Sequence, residues 1–92
     1  MSYMPRISEE KIKKIEEQII YYLYSIFPKQ VFTVDIAREI ARDEEFIKKI
    51  LLNLHKNGLV VKVDKNSEGI TYERRLRWRI ANKTHEAYSK MQ

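Results

Sequence analysis

A chain of 92 residues, 43% hydrophobic and 34% charged, has room for one modest core under a heavily ionised surface. It contains no cysteine, which excludes disulfides and thiolate metal sites and points to a reducing, cytoplasmic setting. The longest apolar run, 19–27, is too short to span a bilayer, and the N-terminal MSYMPRISEE has no signal-peptide apolar region.

Charge is unevenly divided. Residues 1–45 carry seven Lys/Arg against nine Asp/Glu, whereas residues 46–92 carry eleven against four. A basic half of this kind is the electrostatic footprint of a nucleic-acid binder. The competing reading is an ion-pair-rich surface suited to a hot habitat.

After a short arm over 1–7, a first helix is expected over 8–27. Ser8 is its N-cap, Glu9 and Glu10 favour the positive end of the helix dipole, and Pro28 stops it. Ile12, Ile15, Ile19, Leu23 and Ile26 form its core stripe. Beyond Ile19 the apolar arc is about twice the ~100° that one-sided packing needs. Ile20, Tyr24 and Phe27 fall beside the stripe, and Tyr21 lies almost opposite it. With Tyr88 and Met91 of the last helix, these residues are the expected homodimer interface. The alternative is that the last helix of the same chain covers them.

A β-prone pair at 31–32 leads to a second helix over 34–41, capped by Thr33 and burying Ile36, Ala37 and Ile40. Arg42 is the turn and Asp43 the N-cap of a third helix over 44–57. That helix buries Phe46, Ile47, Ile50, Leu51 and Leu54, and Asn57-Gly58 ends it. A hairpin is expected over 59–80, turning at Asn66-Ser67-Glu68-Gly69. Leu59, Val61 and Val63 share one face of its first strand. On the return strand Leu76, Trp78 and Ile80 face the core, and Arg75, Arg77 and Arg79 face away. The last helix, over 83–91, presents Ala87, Tyr88 and Met91. No repeat or linker marks a second domain.

This order of elements resembles the winged-helix superfamily, and its pattern is closest to small MarR-like or ArsR-like regulators of bacteria and archaea. Ile36-Ala37, Ile47, and Leu54 four residues before Gly58-Leu59-Val60 carry the resemblance. Trp78-Arg79-Ile80 followed by Asn82-Lys83-Thr84 extends it, so that it covers roughly Ser8 to Met91. The resemblance implies an α+β winged helix-turn-helix with a three-helix core, a small antiparallel wing and an extra C-terminal helix. It also implies a third helix in the DNA major groove and a wing on the neighbouring backbone or minor groove. The composition suggests an archaeon or a virus of one as the source.

The outward arc of the third helix holds Glu45, Lys48, Lys49, Leu52 and Lys56, with Asn53 at its edge. The lysines and Arg42 suit phosphates, and Asn53 suits an adenine edge. On the wing, Lys65, Arg74, Arg75, Arg77 and Arg79 are the candidates. The three outward arginines recur at roughly 7 Å because alternate strand residues share a face. Tyr72 is the one aromatic placed to stack on a base. Two features cut the other way. Asp43-Glu44-Glu45 puts carboxylates where the helix should meet DNA, and Leu52 sits mid-face, suited to a thymine methyl or to a protein interface. The arginines also have intramolecular candidates in Glu68, Glu73 and the acidic first helix.

No enzyme is expected. His55 and His85 lack ligand spacing to a carboxylate or to each other, and no glycine-rich loop is present. Both histidines read as surface or helix-end residues. The sequence therefore predicts a double-stranded DNA-binding regulator of transcription. It acts as a homodimer without a cofactor or membrane contact. A winged-helix protein-interaction module is the alternative.

Overall fold

The computed structural model describes residues 8–63 and 76–91. In chain order they form α1 (Glu9–Ser25), β1 (Val31–Phe32), α2 (Thr33–Ile40), α3 (Glu44–Lys56), β2 (Val60–Val63), β3 (Arg77–Ile80) and α4 (Asn82–Met91). The arm at 1–7, the turn at 66–69, and Lys65, Tyr72, Arg74 and Arg75 lie outside the described residues.

α1 begins as expected, with the Ser8 hydroxyl accepting from the Lys11 N–H at 3.3 Å. It ends sooner, at Ser25, whose hydroxyl donates to the Tyr22 carbonyl at 2.7 Å. A serine bonded back to its own helix competes with continued winding, and Pro28 disfavours helical backbone at Phe27.

The cap of α2 differs from the expectation. Phe32 is the N-cap, and its N–H donates to the Asp35 carboxylate at 3.2 Å. Thr33 instead turns inward, where its hydroxyl accepts from the buried Trp78 indole N–H at 2.7 Å. A buried indole N–H requires a partner, and Thr33 supplies it from another element.

α2 and α3 close with the same device. Ala41 (φ 59°) and Gly58 (φ 78°) adopt the left-handed conformation. Around Ala41, the Arg42 N–H reaches Ala37 O at 3.0 Å and the Ala41 N–H reaches Arg38 O at 3.3 Å. Around Gly58, the Leu59 N–H reaches Leu54 O and the Gly58 N–H reaches His55 O, both at 2.9 Å. These are paired Schellman bonds, which satisfy the last carbonyls of each helix. Between them Asp43 caps α3, accepting from the Phe46 N–H at 3.1 Å.

The three strands form one antiparallel sheet in the order β1-β3-β2. Val31 opposes Trp78 and Phe32 opposes Arg77, while Val60 opposes Ile80 and Val63 opposes Arg77. One face thus carries Val31, Trp78, Ile80 and Val60 into the core, and the other carries Phe32, Arg77, Arg79, Val61 and Val63. Val60, not the Leu59–Val61–Val63 side, is the buried part of β2, and Leu59 is exposed. The sheet meets Ile15, Ile19 and Leu23 of α1, Ile36 and Ala37 of α2, and Ile47, Ile50, Leu51 and Leu54 of α3. Phe46, Ile40 and Leu76 are half-buried at its margin rather than inside it.

α4 corrects the expected dimer face. Ile20 is only 8% exposed and belongs to the chain's own core. Tyr24 lies 4.8 Å from His85 and 4.9 Å from Tyr88, centroid to centroid, and its hydroxyl is 3.2 Å from that of Ser89. Phe27 stacks on His85 at 3.9 Å. Tyr24, Phe27 and Tyr88 are therefore occupied within the chain. His85, expected at the surface or at a helix end, is in the first turn of α4, half-buried against Tyr24 and Phe27. Of the six proposed interface residues, only Tyr21 (57% exposed) and Met91 (82%) remain bare. Among the described residues no helix is long and apolar enough to cross a membrane.

Candidate nucleic-acid interface

Because α3 buries Ile47, Ile50, Leu51 and Leu54, the 100° spacing of a helix turns Glu45, Lys49, Leu52 and Lys56 outward. All four are exposed, as is Arg42 in the turn before the helix, and Lys48 is half-buried at the edge of the same face. Among the described residues, Arg42, Lys48, Lys49 and Lys56 make no ion pair. The acidic first turn, Glu44 and Glu45, leaves the start of α3 negative and the middle and end positive. The carboxylates stabilise the helix N-terminus but repel phosphate there.

Asn53 stands apart from this face. Its side-chain amide donates to the Glu16 carboxylate of α1 at 3.4 Å. The bond directs the amide toward α1, away from the outward arc where a base edge would approach.

Arg77 and Arg79 sit on the outer face of the sheet, as the alternation required, but both are engaged by their own chain. The Arg77 guanidinium lies over the Phe32 ring, 5.3 Å from its centroid. Arg79 Nη1 donates to Ile80 O at 3.0 Å and to Asn82 Oδ1 at 3.2 Å, tying β3 to the start of α4. Phe32 lies on β1 and Asn82 at the start of α4, so strand alternation alone carries no sign of either. His55 likewise has a structural position, its Nδ1 lying 3.3 Å from Val60 O at the start of the wing.

A concavity lies between the end of α1 and α2. It is a cleft of about 550 Å³ lined by Tyr22, Lys29, Phe32, Asp35, Arg38 and Glu39. Asp35 and Arg38 approach to 3.6 Å within it. Burial, followed by the charges of Glu39 and Asp35, pushes the Tyr22 hydroxyl above the usual tyrosine range. The charges of this cleft are mixed in sign, Lys29 and Arg38 standing with Asp35 and Glu39, whereas the middle and end of α3 carry lysines.

No protein-family model matches the chain, and no curated protein does. Solved structures do. A mutant of MepR from Staphylococcus aureus superposes with a TM-score of 0.68 at 18% identity, over 86% of this chain and 54% of that one. ZitR of Lactococcus lactis gives 0.66 at 17% identity, over 89% of this chain and 57% of that one. MepR in complex with DNA gives 0.67 at 20% identity, over 89% and 67%. MepR is a transcription regulator of the multidrug efflux pump MepA. The chain spans little more than half the length of the first two structures. At these identities the likeness is one of fold, and it agrees with the helix-turn-helix, the three-stranded sheet and the closing helix described above. The chain has a winged helix-turn-helix fold similar to that of MepR and ZitR.

Proposed function

We propose that the protein binds double-stranded DNA through the outward face of α3 and regulates transcription. It acts in the cytoplasm, where its DNA partner lies, and performs no catalysis. The observation that carries this reading is the set of lysines on α3. Lys48, Lys49 and Lys56 project from the second helix of a helix-turn-helix without an ion-pair partner among the described residues. A cationic helix about 10–12 Å across, side chains included, fits the major groove. MepR, which shares the fold, has been seen on DNA. Arg42 joins the lysines as a phosphate contact, and Lys65, Arg74 and Arg75 are the wing residues proposed to extend the footprint.

The test is a fluorescence-anisotropy titration with random duplex DNA at two salt concentrations. Binding should be tight at low salt and fall steeply as salt rises, because each neutralised phosphate releases counterions. No binding at low salt overturns the proposal and favours a protein-interaction module.

The protein is further proposed to act as a homodimer. Tyr21 on α1 and Met91 at the end of α4 are the large apolar side chains that α4 leaves exposed on these helices. Sedimentation of the native protein and of Tyr21→Glu and Met91→Glu variants tests this. A native monomer at micromolar concentration ends the dimer proposal. Ile20→Glu is unsuitable as a probe, since it places a charge in the core.

A further inference from the structure

Leu52 is 39% exposed in the middle of the face assigned to DNA. On a helix, a side chain is surrounded by those three and four residues away. For Leu52 these are Lys48, Lys49, His55 and Lys56. An apolar side chain ringed by three lysines and a histidine is poorly placed for an apolar protein partner, which would have to desolvate that ring. A surface that offers apolar groups between rows of negative charge suits it better. The major groove is such a surface, with thymine C5-methyl groups on its floor and phosphates along both walls.

The alternatives for reading bases on α3 are few. Asn53, the one amide near the face, is bonded to Glu16. Glu45 stands at the acidic end, where phosphate is repelled. The remaining outward side chains are lysines, whose flexible point charges suit phosphates and guanine acceptors without distinguishing A·T from T·A.

We propose that Leu52 is the specificity-determining residue of α3 and that it selects sites by packing on thymine methyl groups. Lys48, Lys49 and Lys56 hold the helix in register on the phosphates around it. This rests on the DNA-binding reading of α3 and adds the base feature that is recognised.

The experiment uses a duplex enriched from a random library by rounds of binding to the full chain. The same duplex is then made with every thymine replaced by deoxyuridine, which removes the methyl and leaves all Watson–Crick and major-groove hydrogen-bonding groups in place. Native protein should bind the deoxyuridine duplex about fourfold more weakly for each contacted thymine, the worth of one buried methyl-sized group. Leu52→Ala, a substitution at an exposed position that leaves the core intact, should bind both duplexes alike. Equal binding of both by the native protein overturns this inference while DNA binding stands. So does a thymine preference that survives in Leu52→Ala. Binding of neither duplex at low salt overturns the DNA reading together with it.

Discussion

The outer faces of α3 and β3 both carry rows of cationic side chains, and the fold treats them in opposite ways. On α3, Lys48, Lys49 and Lys56 lie on the side of the helix away from the core, and none of them has an ion-pair partner among the described residues. On β3, Arg77 lies over Phe32, and Arg79 bonds Ile80 O and Asn82. By count and regularity the arginines are the stronger sequence signal. In three dimensions, Arg77 and Arg79 act first as ties between strands and the last helix. A planar guanidinium with several donors finds partners within its own chain more readily than an ammonium on a flexible stem. Regular cationic spacing on a strand is thus weaker evidence of a ligand than cations on a helix face left unpaired among the described residues.

The contrast can be broken by mutation. The largest effect should come from replacing Lys48, Lys49 and Lys56 together with Ala. Loss of three phosphate contacts should lower the slope of log affinity against log salt by about 2.7, at roughly 0.9 per contact. Anisotropy titrations between low and moderate salt measure it, with the melting temperature as a control. An unchanged slope removes α3 from the interface.

Arg79→Ala should act mainly on stability. Losing its bonds to Ile80 O and Asn82 should cost about 1 kcal/mol in chemical denaturation, with little change in the salt slope. A slope change as large as one lysine's would show that Arg79 also reaches phosphate, and the contrast would fail.

Arg77→Ala should cost about 0.5–1 kcal/mol, the worth of a cation–π contact at a partly exposed site. A loss that vanishes in a Phe32→Leu background would assign it to that ring.

The smallest effect concerns the helix ends that aim α3. Ala41 holds φ 59° where Gly58 holds φ 78°. Left-handed backbone costs an L-residue about 1–2 kcal/mol, and glycine returns part of that as unfolded-state entropy. Ala41→Gly should therefore raise stability by a few tenths of a kcal/mol in denaturant melts. A decrease would show that the Ala41 methyl contributes more than its backbone strain costs.

Much of the architecture was legible in the sequence. Helical spacing picked out Ile15, Ile19 and Leu23 on α1 and Ile47, Ile50, Leu51 and Leu54 on α3, and the structure buries each of them. Asp43 and Gly58 marked the ends of α3, because short-range chemistry sets a cap regardless of what packs nearby. Strand alternation placed Trp78 and Ile80 inward and Arg77 and Arg79 outward. These features depend on neighbours within about one helical turn or one strand, so a linear reading reaches them.

The remainder depended on elements distant in sequence. Nothing local says that Thr33 serves Trp78 rather than capping α2, or that Asn53 is held by Glu16. The apolar excess on α1 left two occupants open, a second copy or the last helix. Only the packing of His85 and Tyr88 against Tyr24 and Phe27 decided for the last helix. Local periodicity determines which face of an element is apolar or charged. What lies against that face is a matter of long-range packing, and here it moved the case for DNA from the arginines of β3 to the lysines around Leu52.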